Sequence, residues 1–177
     1  MDVRAGVAAA AALARCVAVA AVLLGTGRVH LPAARVGTVL RFPDGTSARV
    51  YRETVLDRPP AARPCALVVE FRLRAVRGRG HALFRAESLL NTPLFVGFPG
   101  FVSKLWCAHD ERGTYRGIYD WDGPAAAEHY ARSLWWVLAA VCVRGSIRHR
   151  VLPGVRRDDV VADPAAVLGS GIGEGSR

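Results

Sequence analysis

The residues best suited to chemistry lie between Phe98 and Trp121, in FPGFVSKLWCAHDERGTYRGIYDW. Trp106, Tyr115, Tyr119 and Trp121 recur there beside Lys104. Tyr115, Tyr119 and Trp121 are an even number of residues apart, so on a strand they share one face. Aromatic walls with a few polar groups suit a pocket for a flat apolar molecule, with the Tyr hydroxyls and Lys104 as polar anchors. Core packing explains the same pattern, because cross-strand aromatic pairs stabilise a sheet by about 0.2–1 kcal/mol. Asn91, at the end of a helical stretch, points into a cleft between helix and sheet or caps the helix; both readings stand. His109-Asp110-Glu111 offers ligands or bases, but a polar turn between strands belongs at the solvated surface. No second cluster completes a metal site around it. Phosphate-binding loops, GxGxxG, GxSxG, HExxH and EF-hand patterns are absent.

Two strands must carry these residues. Residues 101–108 and 114–121 read as an antiparallel hairpin whose charged turn ends in Gly113. Before it, CALVVEFRLRAVR (residues 65–77) alternates: Leu67, Val69, Phe71 and Leu73 face one way, Val68, Glu70, Arg72 and Arg74 the other. Residues 81–90 have a helical stripe through Leu83, Ala86 and Leu90. After the hairpin, residues 124–143 read as a helix with Ala127, Tyr130, Ala131, Leu134, Leu138 and Val141 on one face. Trp136 falls on its polar face and is expected to be exposed, with Trp135 at the flank. SIRHRVL (residues 146–152) is a last strand.

Residues 65–154 therefore run β-α-β-β-α-β, an α+β, ferredoxin-like arrangement: a four-stranded antiparallel sheet with both helices on one face. The bare face needs cover, and a second copy of the sheet is the simplest, so a homodimer is expected. Residues 31–64 hold an extra β-hairpin turning at Pro43-Asp44-Gly45, then a Pro-rich boundary. That hairpin either extends the sheet edge or lies across it. Residues 155–177, rich in Asp, Gly, Ser and Pro, read as a mobile tail.

Residues 1–30 contain an apolar stretch from Ala5 to Leu24. Its length suits a membrane helix. Its seven Val and Leu residues favour insertion by about 0.3–0.6 kcal/mol each, and Arg15 opposes it by about 2.5–3.5 kcal/mol. A signal peptide and an Ala-rich helix lying on the domain or the bilayer surface are the other readings. The favoured one is a weak membrane anchor with the following residues on the cytoplasmic side.

The 177-residue chain carries a formal charge of +9, and of its 24 Lys and Arg residues only Lys104 is lysine. The arginines are scattered and no nucleic-acid motif appears, so nucleic acid is not an expected partner. Cys16, Cys65, Cys107 and Cys142 have no CxxC spacing and sit in apolar runs, as reduced, buried thiols do.

Pro99-Gly100-Phe101-x-x-Lys104-x-Trp106, Gly117-x-Tyr119 and then Ala127-x-x-Tyr130 on the following helix form a pattern. It resembles that of the dimeric α/β-barrel superfamily, and within it the YdhR-type mono-oxygenase group. The resemblance spans residues 65–154. It implies a ferredoxin-like dimer and a cofactor-independent mono-oxygenase acting on an apolar aromatic molecule, whose own carbanion reacts with oxygen. No cofactor is then required. Haem-degrading relatives imply haem held by a histidine, for which His81, His109, His129 and His149 are available, none in a matching motif. A shared fold does not transfer a reaction, so a non-catalytic dimerisation or ligand-binding module is the alternative.

Overall fold

A computed structural model describes residues 3–74, 76 and 91–169, with side chains from residue 10 onward. The expected helix over residues 81–90 lies outside the described residues. The elements are α1 (Val3–Gly25), β1 (Val29–His30), β2 (Val39–Arg41), β3 (Ser47–Leu56) and β4 (Pro64–Arg72). A 3₁₀ turn (Thr92–Leu94) leads to β5 (Phe101–Cys107) and β6 (Thr114–Asp122). Then come α2 (Pro124–Val141), β7 (Arg148–Pro153), α3 (Arg157–Ala162) and α4 (Pro164–Gly169).

The sheet order is β1-β3-β5-β6-β4-β7, and every neighbouring pair is antiparallel. Within it, β4, β5, β6 and β7 are the four ferredoxin-like strands, with the last beside the first and the third between first and second. β3 continues the sheet beyond β5, and β2 pairs back on β3. The extra hairpin therefore extends the edge. The expected central hairpin forms, and β6 lies between β4 and β5, with Leu67 on one side of Tyr119 and Lys104 on the other.

One face of the sheet is covered by α2 and α1. Leu67, Val69, Trp106, Tyr119, Trp121, Ala127 and Tyr130 are buried between these layers. α1 lies on the domain: Cys16 and Ala20 are buried, and the Cys16 thiol donates to the Pro93 carbonyl at 3.1 Å. A Cβ on Gly97 would stand 2.0 Å from the Cys16 carbonyl oxygen, so only glycine lets the helix come this close. The middle of α1 is thus docked, which corrects the membrane-anchor expectation and favours the reading of a helix packed on the domain. A helix crossing a bilayer would have to give up these contacts. Among the described residues no helix is long and apolar enough to cross a membrane.

The other face is not bare. Ala66, Val68, Leu105 and Ile118 are buried there against Leu40, Phe42, Val160 and Leu168. Their cover comes from the β2–β3 hairpin and from α3 and α4, within residues expected to be a mobile tail. The correction has a physical cause. Val160, Val161 and Leu168 bury apolar surface, and Arg157, 7% exposed, clamps α3 to the sheet. Its guanidinium meets Glu53 at 2.7 Å and its amide donates to Asp120 at 2.6 Å. Covering this face does not require a second copy, so the argument that led to a homodimer loses its basis.

Candidate functional site

Lys104 reaches the helix side through a break in the sheet register. Phe101 faces the helices and packs edge-on to Trp121 at 5.6 Å. Strict alternation would then send Lys104 to the opposite face. A register shift between Phe101 and Ser103 reverses the parity and turns Lys104 and Trp106 inward. The neighbouring strand β3 does the same between Val50 and Arg52. Val50 packs on the second face, whereas the Arg52 guanidinium lies 4.0 Å from the centre of the Trp106 ring. Two irregularities on adjacent strands thus bring two cations into one aromatic layer.

Lys104 is 5% exposed. Its Nζ sits 3.0 Å from the centroid of Trp106, 4.5 Å from Phe95 and 4.7 Å from Tyr119. Cation–aromatic attraction supplies about 2 kcal/mol when such a pair is desolvated, much less than burying an ammonium costs. Among the described residues no carboxylate forms an ion pair with Lys104. Burial, reinforced by the positive charge of Arg52, pushes the Lys104 amine well below its ordinary value of 10.5. Burial likewise lowers Arg52. The site is a weakly basic, buried amine facing aromatic surfaces: it can accept a proton or steady an incoming oxyanion.

The hydroxyls beside it are held in place. Tyr119 and Tyr130 share a hydrogen bond of 3.2 Å, and burial pushes both phenols up. The Gly117-x-Tyr119 spacing has a direct cause. A Cβ at position 117 would lie 2.8 Å from the Tyr119 ring, which folds back over the glycine. Gly100 adopts a φ of +86° in the turn into β5, where a Cβ would meet the Ala126 methyl at 2.8 Å. The indole N–H of Trp106 donates to the Thr54 hydroxyl at 3.2 Å.

Of the residues singled out from the sequence, Lys104, Trp106 and Tyr119 come together. Trp121 joins them through Tyr130, 4.9 Å away. Tyr115 lies at the far end of the layer, stacked on Phe71 at 5.8 Å. Asn91 precedes the 3₁₀ turn, half-buried, and its side chain does not cap it. Arg52 and Phe95 were missed. Arg52 left a signal: it shares parity with the apolar Val50, a conflict that a register shift resolves.

Other polar groups singled out from the sequence serve the fold. Asp110, expected on a solvated turn, is buried. It accepts the amides of Arg112 and Thr114 and the Arg116 guanidinium at 2.6 Å. Arg116 also meets Glu70 at 2.7 Å and Asp44 at 3.0 Å. The four cysteines are free and buried, and burial raises the Cys107 thiol to about 12 and those of Cys16 and Cys142 to about 11. His129 packs on Phe98, and His149 faces Glu128 at 3.4 Å. Trp135 is 43% exposed and Trp136 is half-buried, the reverse of the expectation. Among the described residues no group of three His, Cys, Asp or Glu side chains could hold a metal ion.

No protein-family model matches the sequence, and no curated protein matches it. Solved structures do resemble the fold. An uncharacterised ferredoxin fold protein related to antibiotic biosynthesis monooxygenases, from Listeria monocytogenes 4b F2365, is similar at 13% identity and a TM-score of 0.43, over 62% of this chain and 64% of the other. An anthrone oxidase-like protein is similar at 14% identity and a TM-score of 0.43, over 63% and 55%. A monooxygenase-like protein from Listeria innocua is similar at 13% identity and a TM-score of 0.42, over 63% and 66%. The chain spans less than two thirds of the length of each. The fold assignment rests on the strand order and register described above.

Proposed function

We propose that the aromatic layer around Lys104 binds a flat apolar molecule carrying an acidic O–H or C–H group, and that the protein acts on it as a cofactor-independent mono-oxygenase. One observation carries this reading: a buried amine, surrounded by Phe95, Trp106 and Tyr119, that lies beside a second cation and meets no acid among the described residues. A proton taken up by Lys104 in this layer costs stability unless an anion accompanies it. A phenolate or enolate supplies that anion, and its rings suit the aromatic walls.

In this reading neutral Lys104 takes the proton from the substrate and, as an ammonium beside Arg52, stabilises the anion that forms. The carbanion form then reacts with dioxygen. One oxygen atom becomes a carbonyl on the former CH₂ carbon, and the other leaves as water with the two hydrogens. The lysine proton returns in the second half, so no net charge accumulates. Because Lys104 is only 5% exposed, binding requires the layer to open locally.

The test uses 1-naphthol with the full chain, following Trp fluorescence and the naphtholate absorbance. Bound naphthol ionises at lower pH than free naphthol, and Lys104→Met abolishes that shift. Oxygen uptake with an anthrone-type CH₂ substrate follows the same loss. Unchanged ionisation of bound naphthol in both proteins would contradict the role of Lys104.

A further inference from the structure

A groove of about 480 Å³ opens at the free edge of β7, away from Lys104; none of the six residues singled out from the sequence lines it. Ile147, Arg148, His149 and Arg150 all line it. Side chains on a strand alternate between faces, so four consecutive residues border one space only if it runs along the strand edge. Among the described residues β7 is the terminal strand of the sheet. The groove therefore lies between two layers: Trp135 of α2 forms one wall, and Phe42 and Leu168 from the cover of the second face form the other.

Its charges are unequally committed. The two carboxylates in the lining are engaged elsewhere, Glu70 and Asp44 both on Arg116, at 2.7 and 3.0 Å. Arg148 and Arg150 form no ion pair among the described residues. Arg150 donates to the Leu168 carbonyl, which ties its guanidinium to another lining residue and leaves other N–H groups for a ligand. Trp135 is 43% exposed beside them. The volume suits a small organic molecule. Two neighbouring arginines also repel a second copy of the same edge, which disfavours pairing of β7 with itself.

We infer that this groove binds an amphipathic monocarboxylate: the carboxylate at Arg148 and Arg150, the apolar body between Trp135 and the Phe42–Leu168 wall. The site is independent of the Lys104 layer.

The probe is 2-naphthoate, with neutral 2-naphthamide as the control, titrated into the full chain by Trp fluorescence and amide NMR. Naphthoate quenches Trp135 and shifts the amides of residues 147–150; Trp135→Phe removes the quenching but not the shifts. Naphthamide binds about tenfold more weakly, as loss of a charge-assisted contact requires. Arg148→Gln and Arg150→Gln each weaken naphthoate by a similar factor, while Lys104→Met leaves it unchanged. Equal affinity for acid and amide, shifts centred on Trp106 and Tyr119, or indifference to both arginine substitutions would each overturn the assignment. So would binding of an extended acidic peptide along β7 with no response to naphthoate.

Discussion

The two faces of the sheet bury cations in opposite ways. On the second face, Arg116 is enclosed by Asp110, Glu70 and Asp44, and Arg157 by Glu53 and Asp158. Burial alone would lower the Arg116 guanidinium, but Glu70 and Asp110 outweigh it and hold the group above its ordinary value. On the helix side, Lys104 has aromatic rings where those arginines have carboxylates, and its amine is pushed well down instead. The first arrangement joins segments: Arg116 ties the β2–β3 turn, β4 and the central hairpin. The second carries no ion pair among the described residues, and its cost is the reason to assign it a ligand. A buried charge that is matched is explained by folding, and one that is not asks for a function.

The largest effect is expected from breaking the matched side. Arg116→Met leaves Asp110 buried with no cation, and stability falls by about 3–5 kcal/mol in urea unfolding. A loss below about 1 kcal/mol would show that the network is surface-like after all. Lys104→Met has the opposite sign. It replaces an amine that has no ion pair among the described residues with an apolar chain of similar length and raises stability by about 1–3 kcal/mol. The pH dependence follows from the depressed amine. Between its folded value and the ordinary 10.5, the unfolded chain binds the proton and the folded chain does not. Stability therefore rises with pH across that window, and the rise disappears in Lys104→Met.

The smallest effect sharpens the comparison at its solvent-exposed rim. Glu111 is drawn down to about 2, first by the Ser47 hydroxyl and then by the Ser47 amide. Its contribution is present above the ordinary 4.5 and is lost as pH falls towards about 2. Ser47→Ala returns Glu111 towards its ordinary value, read from its carboxyl carbon by NMR, with little change in overall stability.

The strands were legible because their signals are local. The turn ending in Gly113 placed β5 and β6 within a residue of their observed ends, and alternation through Leu67, Val69 and Phe71 placed the start of β4, which stops at Arg72, short of the expected residue 77. The partner of Asp110 was not legible, since its network joins residues far apart in sequence, and only the register brings them together. α3 and α4 were missed because helices of 6 residues show no period. The same limit hid Arg52 from the candidate site, although Lys104, Trp106 and Tyr119 were found by type and spacing. The covered second face was the most consequential miss, because its cover comes from segments that composition alone assigns to a loose tail.

The most direct measurement exploits the single lysine of the chain. Protein labelled with ¹³C at lysine gives one side-chain Cε resonance, and its pH titration reports Lys104 alone. The account predicts a midpoint well below 10.5 in the folded protein, moving upward when a phenolate ligand occupies the layer. A midpoint at or above 10.5 without ligand would mean that Lys104 is already matched by an acid, and would contradict the claim that the helix side is held open for an anion.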